Sequence, residues 1–237
     1  ILYSFRRCPY AIRVRWALLI CEIKIEIREV DLKNKPLEFL NKSKSKTVPV
    51  LLKKNDEIIE ESLEIILWAL SESNNKNIKN FYIPNSKKEE ILEIIYENDH
   101  SFKYHLDRFK YSTRFTAIDE NYHFFEASEF IKKWNKQIKE SKWLIGKNPS
   151  IADWCIWPFV RQFKIACESK KKINYFDDPI KQWLEYFEKH QNFKKLMHKY
   201  EPWEPSNRKY YFPCNYPPIC DNGQQGCLSL PGHVPQC

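Results

Sequence analysis

Strand and helix signals alternate through the first seventy residues, and this alternation restricts the fold more than any other feature of the chain. Apolar stretches typical of strands occupy residues 1–4, 25–30, 48–52 and 58–59, and helical stretches occupy residues 9–21 and 36–40. A further helix follows at Ser62, which we expect to cap it. The resulting order β-α-β-α-β-β-α predicts a thioredoxin-like α/β domain over residues 1–74.

Apolar residues at helical spacing dominate the next segment, residues 86–203. Phe124, Ala127 and Ile131 illustrate the repeat of three or four positions that places side chains on one helix face. Ser150 and Asp153 stand three positions apart before an apolar run, which is the pattern of a capping box. We therefore predict that this segment is an all-α helical-bundle domain.

The composition changes abruptly after residue 203. Residues 204–237 contain six of the 14 prolines, three of the four glycines and four of the eight cysteines, without a helical or strand period. We expect a Pro/Cys-rich, irregular C-terminal extension. The spacing of Cys214, Cys220, Cys227 and Cys237 fits no standard zinc motif. A divergent terminus, a disulfide-prone appendage and a metal-binding appendage remain the alternatives for this segment.

Cys8 lies where the first predicted strand meets the first predicted helix. Proline is well tolerated at the first helical position, so Pro9 makes Cys8 the N-cap residue. A thiol there faces unpaired backbone N–H groups and the positive end of the helix dipole. Such surroundings lower a thiol pKa from about 8.5 to roughly 3.5–7.5 and make the sulfur nucleophilic. The alternative is a buried structural cysteine. Ala11 occupies the position where a dithiol motif carries a second cysteine, which restricts the chemistry to a single thiol.

The charge and hydropathy of the chain exclude several classes of function. The net charge of +8 comes from lysine dispersed along the sequence, not from a dense basic block. It therefore favours small anionic ligands over nucleic acid. No run of about 18 apolar residues is present. Because the sequence opens on a strand, we expect no signal peptide. We expect a cytoplasmic protein without a membrane segment.

Four motifs in this order and spacing resemble the cytosolic glutathione S-transferase family. They are Cys-Pro-Tyr-Ala at residues 8–11, Thr-Val-Pro-Val-Leu at 47–51, Glu-Ser at 61–62 and Ser-Ile-Ala-Asp at 150–153. The cysteine site resembles the omega-like, cysteine-type branch, which includes bacterial members. The resemblance covers residues 1–203, and the extension after them has no counterpart in the family.

The resemblance implies a glutathione site in the first domain. Val48 and Pro49 match the family's cis-proline turn, which exposes the Val48 backbone to pair with the cysteinyl part of glutathione. Glu61 and Ser62 match the helix start that holds the γ-glutamyl end. Lys35 matches a basic position near the glycyl end. An ordinary strand-entry proline and simple helix capping are the alternatives.

The resemblance also implies a pocket for a second substrate beside the reactive cysteine. In the family, the first long helix of the helical domain contributes to that pocket. Polar residues that interrupt the apolar stripe of this helix are alternatively explained by hydrogen bonds between packed helices. The candidates are Tyr10, Asn98, Asp99, Phe102 and His105.

The implied function is glutathione-dependent thiol transfer, deglutathionylation or dehydroascorbate-type reduction through Cys8. The implied partners are glutathione as co-substrate, a small electrophilic or disulfide substrate and a second copy in a homodimer, with no metal, nucleic acid or membrane. Conjugation of glutathione to an electrophile is the alternative within enzymes. A non-catalytic adaptor or regulatory protein with the same fold is the alternative outside them.

Overall fold

The computed structural model describes residues 1–172, 176–206 and 208–214. The chain divides into two compact units, one built from residues 1–74 and the chain from Lys194 onward, the other from Asn75–Phe193. The N-terminal part of the first unit ends at Asn74. Residues 194–203, which were predicted to lie in the helical domain, belong with the first unit.

The first unit has the thioredoxin-like α/β fold that the sequence predicts. Its strands are β1 (Leu2–Ser4), β2 (Ile25–Glu29), β3 (Val50–Leu52) and β4 (Ile58–Ile59), and its helices are α1 (Pro9–Ile20), α2 (Leu37–Lys42) and α3 (Ser62–Glu72). The β1 strand pairs parallel with β2 and antiparallel with β3, and β3 pairs antiparallel with β4. This mixed sheet places the end of β1 and the start of β3 beside the start of α1.

The core of the first unit lies between this sheet and the segments that cover it. One buried cluster of this core contains Tyr3, Val30, Phe39, Val48, Val50 and Trp203. Cys8, at the start of α1, is half-buried and packs against this cluster. Helix α1 is buried on nearly every side, including the guanidinium-bearing Arg13 and Arg15. A helix with this burial cannot turn its arginines toward water, so their partners are internal.

A fifth strand, β5 (Tyr210–Phe212), corrects the prediction of an irregular segment over 204–237. It pairs antiparallel with β2, with Phe212 opposite Ile25, and completes the sheet order β4-β3-β1-β2-β5. The strand covers the backbone groups that an edge strand leaves unpaired. Three aromatic residues favour a strand but are too few to show a period. Cys214 is buried and disulfide-bonded, as the disulfide-prone alternative expects. The predictions for Cys220, Cys227 and Cys237 lie outside the described residues.

The second unit is all-helical among its described residues, as predicted. Its helices are α4 (Ile78–Tyr82), α5 (Lys88–Glu97), one π-helical turn (Asn98–Phe102), α6 (Lys103–Lys110), α7 (Glu120–Ser141), α8 (Ile151–Ser169) and α9 (Asp178–Lys189), and α10 (Asn192–Leu196) leads back to the first unit. The predicted capping box is present at α8, because the Ser150 hydroxyl accepts from Ala152 N at 3.2 Å and Ser150 N donates to Asp153 Oδ2 at 2.8 Å.

Candidate active site around Cys8

Cys8 is the N-cap residue of α1 and Pro9 is the first helical residue, as the sequence predicts. The backbone N–H of Cys8 donates to Phe5 O at 3.0 Å and closes the turn that precedes the helix. The Cys8 carbonyl accepts from Ile12 N at 2.9 Å, which is the first hydrogen bond of the helix. The sulfur therefore lies at the end of α1 where N–H groups point outward and the helix dipole is positive.

The cis-proline turn adjoins this sulfur. The Val48–Pro49 peptide bond is cis, in agreement with the resemblance to the family. The Cys8 thiol donates to the Val48 carbonyl, with Sγ and O 3.5 Å apart. Val48 and Pro49 are both buried and lead directly into β3. The thiol thus lies at the backbone edge that the resemblance assigns to glutathione.

Glu60, which sequence reasoning missed, fixes the loop that leads into this turn. Its Oε1 accepts from Ser43 Oγ at 2.7 Å and from Ser45 N at 3.2 Å. Burial raises the pKa of Glu60, but these hydrogen bonds outweigh burial and bring it below its usual range. The predicted Lys35 reaches the same loop, because its Nζ donates to Lys46 O at 2.9 Å.

The start of α3 differs from the prediction by one residue. Glu61 is the N-cap and Ser62 is the first helical residue, so Ser62 does not cap the helix. The Ser62 side chain is buried and accepts two hydrogen bonds from Arg13, from Nε at 3.0 Å and from Nη2 at 2.7 Å. This long-range partner holds the hydroxyl away from the capping position. Glu61 is exposed at the same helix end.

Arg13 links the two ends of the candidate site, although the sequence suggested only its positive charge. It lies on α1, is 1% exposed and reaches Ser62 on α3. Its guanidinium also lies over the Tyr10 ring, 4.8 Å from the centroid, so Tyr10 is packed against the site in the first unit. The signal that could have identified this role is an arginine within an otherwise apolar helix, since buried charges require internal partners.

The remaining predicted pocket residues lie in the second unit. Asn98 is fully buried in the π-helical turn, where its Nδ2 donates to Asp99 Oδ1 at 2.8 Å. Among the described residues its Oδ1 accepts no hydrogen bond. Phe102 is fully buried, and its ring packs 4.8 Å from that of Trp134, so within this unit it is a core residue.

His105, the last predicted pocket residue, pairs with His123 of α7, with their Nδ1 atoms 3.0 Å apart. Burial and the neighbouring His123 lower the pKa of His105. Burial and Arg108 likewise lower the pKa of His123. The pair therefore joins two helices in its neutral form at neutral pH. This contact gives His105 a packing partner that the sequence did not reveal.

Two findings concern metals and membranes. Within residues 1–172, 176–206 and 208–214, no group of three or more His, Cys, Asp or Glu side chains is arranged to hold a metal ion. In the same part of the chain, no helix has the length and apolar character needed to cross a membrane.

The site and fold can be compared with known proteins. Residues 2–77 match the family model for the "Glutathione S-transferase, N-terminal domain". The structure is similar to a Tau class glutathione S-transferase from mango, Mangifera indica, with 16% identity, a TM-score of 0.68, and coverage of 84% of this chain and 92% of that one.

Two further solved structures show the same likeness. One is a glutathione transferase family member from Pseudomonas fluorescens with two glutathione bound, at 17% identity and a TM-score of 0.68, covering 83% of this chain and 91% of that one. The other is an epsilon-class glutathione S-transferase from housefly, Musca domestica, at 18% identity and a TM-score of 0.68, covering 82% and 90%. These likenesses show that the chain shares the fold of these glutathione transferases.

Proposed function

We propose that this chain is a glutathione transferase of the cysteine type, which transfers glutathionyl groups through Cys8. One observation carries the proposal. The Cys8 sulfur lies at the N-terminus of α1 and 3.5 Å from the carbonyl oxygen of Val48 in the cis-proline turn. A nucleophilic sulfur is thereby adjacent to a backbone edge to which the cysteinyl part of a tripeptide can add as a strand.

The proposed glutathione site extends from the cis-proline turn to α3. The γ-glutamyl carboxylate lies against the N-terminus of α3 and the Ser62 hydroxyl, since a hydroxyl that accepts hydrogen bonds can still donate its own proton. Arg13 supplies positive charge there, Glu61 faces the ammonium group and Lys35 lies near the glycyl carboxylate. Arg13 follows Cys8 by five residues, about 7.5 Å along the helix axis. An extended tripeptide spans roughly 10 Å, which is comparable with this separation along the axis.

The proposed reaction is thiol–disulfide exchange with one protein thiol. The Cys8 thiolate attacks the glutathionyl sulfur of a mixed disulfide, forms a Cys8–glutathione disulfide and expels the acceptor's thiolate, which takes up a proton. The thiolate of a second glutathione attacks the glutathionyl sulfur of that disulfide. Glutathione disulfide leaves and the Cys8 thiolate is regenerated. In dehydroascorbate-type reduction, the two electrons that reduce the acceptor come from two glutathione molecules in the same way.

The proposal assigns separate roles to the two parts of the chain. Residues 1–74 bind glutathione, and Tyr10, Asn98 and Asp99 are candidates for contact with the second substrate. Phe102 and His105 pack within the helical unit, and we assign them a supporting role there. The functional form is a homodimer in the cytoplasm, and the small second substrate is an electrophile or a disulfide.

The test is formation of a glutathione adduct on Cys8. The protein is incubated with oxidised glutathione, its intact mass is measured, and the modified residue is identified by peptide mapping, which separates Cys8 from the cysteines of the extension. The expected result is one adduct on Cys8 that Cys8→Ser abolishes. Cys21→Ser is the matched control, because burial raises the pKa of Cys21 to about 12 and makes it unreactive.

Two results would contradict the proposal. The first is a Cys8 that stays unmodified in oxidised glutathione, and the second is an unchanged adduct on the same peptide in Cys8→Ser. Retention on immobilised glutathione without an adduct would support the non-catalytic adaptor instead.

A further inference from the structure

We propose that Glu29 is the positioning residue for the Cys8 thiol, holding the turn that places the sulfur at the N-terminus of α1. The inference rests on the proposed function, in which Cys8 is the nucleophile. Glu29 is the last residue of β2, and it lies 21 positions from Cys8 in the sequence. It is buried, with 8% of its surface exposed.

The Glu29 carboxylate joins the thiol turn to helix α1. Its Oε1 accepts from the backbone N–H of Arg6 at 2.6 Å. Its Oε2 accepts from Arg15 Nη2 at 2.5 Å. Arg6 lies inside the turn that the Cys8 N–H closes onto Phe5 O. Glu29 therefore fixes the middle of the turn, and the Cys8–Phe5 hydrogen bond fixes its end.

Rigid elements hold the carboxylate itself. Arg15 is fully buried and also donates from Nε to Ser4 Oγ at 2.9 Å, at the end of β1. Val30, the residue after Glu29, donates from N to Ser4 O at 2.8 Å. The two strands and the helix thus locate both partners of the ion pair. A charged hydrogen bond to a backbone N–H in such a setting is strong and directional.

Residues 196–203 contact the Glu29 backbone and the two arginines that surround its carboxylate. Trp203 N donates to Glu29 O at 2.8 Å, and Arg15 Nη1 donates to Leu196 O at 3.3 Å. Arg6 Nη1 also reaches this segment, at Met197 O. Residues 196–203 therefore help to hold Glu29 and its two arginine partners in place.

The titratable neighbours of this carboxylate are Arg6, Arg15, His198 and Tyr200. Burial, followed by Arg15 and Arg6, lowers the pKa of His198, so its imidazole is neutral at neutral pH. Burial raises the pKa of Tyr200, so its phenol stays protonated. The charged groups that face Glu29 are consequently the two arginines, and Arg15 directly compensates the negative charge of the Glu29 carboxylate.

A positioning role and a purely electrostatic role of Glu29 predict opposite changes in the pKa of the Cys8 thiol when Glu29 is replaced. A carboxylate near a thiol disfavours the thiolate, so removal of the Glu29 charge alone makes the thiol more acidic. Loss of the turn moves the sulfur away from the outward N–H groups of α1 and makes the thiol less acidic. The direction of the change therefore distinguishes the two roles.

The experiment measures the rate of Cys8 alkylation by iodoacetamide between pH 5 and 9, with peptide mapping to isolate Cys8 from other thiols. Glu29→Gln retains an acceptor oxygen for the Arg6 N–H, and Glu29→Leu removes it. We expect a less than twofold change in rate for Glu29→Gln. For Glu29→Leu we expect the pH midpoint to rise by about one unit, which lowers the rate about tenfold on the acid side.

Glu26→Gln is the matched control, since Glu26 lies on the same strand and pairs with Arg28 at 2.8 Å instead of touching the thiol turn. If Glu29→Leu does not fold, the double variant Glu29→Leu/Arg15→Met removes both buried charges together, which proteins often tolerate. Rates equal to wild type in the leucine variants, or faster than wild type, would overturn the proposal.

Alkylation needs no glutathione, so the outcome is independent of the proposed function. A shifted midpoint in a protein that forms no glutathione adduct would uphold positioning and reject the transferase. An unshifted midpoint in a protein that forms the adduct would reject positioning and uphold the transferase.

Discussion

Asp153 is expected to be the polar side chain on which the helical unit depends most, and its substitution tests the reasoning about buried hydrogen bonds. It is fully buried and accepts four hydrogen bonds. Oδ1 accepts from Leu144 N at 3.1 Å and Trp183 Nε1 at 2.9 Å. Oδ2 accepts from Ser150 N at 2.8 Å and Ser150 Oγ at 3.1 Å. The carboxylate therefore joins α8, α9 and the segment before α8.

The expected loss of folding free energy follows from the hydrogen-bond donors that Asp153→Ala leaves without acceptors. The Ser150 hydroxyl can turn away, but two backbone N–H groups and one indole N–H remain buried without acceptors. Each such group costs about 1–3 kcal/mol, and removal of the buried carboxylate offsets part of the sum. We expect a loss of about 3–5 kcal/mol, which is a large share of a typical folding free energy of about 5–15 kcal/mol.

Two milder variants should lose less stability than Asp153→Ala. Asp153→Asn keeps one acceptor oxygen but turns an amide N–H toward Ser150 N, and we expect a loss of about 2–3 kcal/mol. Ser150→Ala removes the N-cap side chain at a cost of about 1 kcal/mol. Urea unfolding followed by tryptophan fluorescence and far-UV circular dichroism measures all three, with Asp178→Asn on the exposed start of α9 as the control. A loss below 1 kcal/mol for Asp153→Ala would refute the argument.

Two further predictions concern pH and the fifth strand. Burial lowers the pKa of His105 and His123 in the folded state. The stability they contribute is therefore present above about pH 6.5 and is lost as the pH falls through their lowered pKa values. The urea midpoint should drop between pH 7 and pH 5, and it should drop less in His105→Gln. A pH-independent midpoint would contradict this. Phe212 is fully buried in β5, so Phe212→Ala should cost about 3–5 kcal/mol and speed hydrogen exchange of the β2 amides; unchanged exchange would show that β5 does not protect β2.

The features that the sequence predicts correctly are those determined by neighbours in the chain. The order of strands and helices follows from periodicity, and the N-cap role of Cys8 follows from the proline beside it. The capping box of Ser150 and Asp153 likewise involves residues three positions apart. Such features depend on backbone geometry over a single turn, which the sequence specifies directly.

The errors arise where a distant partner competes with a local one. Ser62 has the side chain of a capping residue, but its hydroxyl accepts from Arg13, 49 positions earlier, and Glu61 becomes the N-cap. Strand β5 exists because β2 offers an edge, and three residues carry no period from which it could be predicted. The contacts of Arg13 and Glu29 escape prediction for the same reason, since a sequence does not show which charged residues are buried together.

The single-thiol character of the site is a consequence of packing as well as of residue type. A dithiol site places its second cysteine three positions after the first, and in this chain that position is Ala11, which is fully buried. Cys8 is only half-buried, so part of this residue is open to solvent. In the proposed cycle, the thiol that resolves the Cys8–glutathione disulfide must approach from solvent. The second glutathione provides such a thiol. In this cycle the acceptor's thiol leaves before the second glutathione binds.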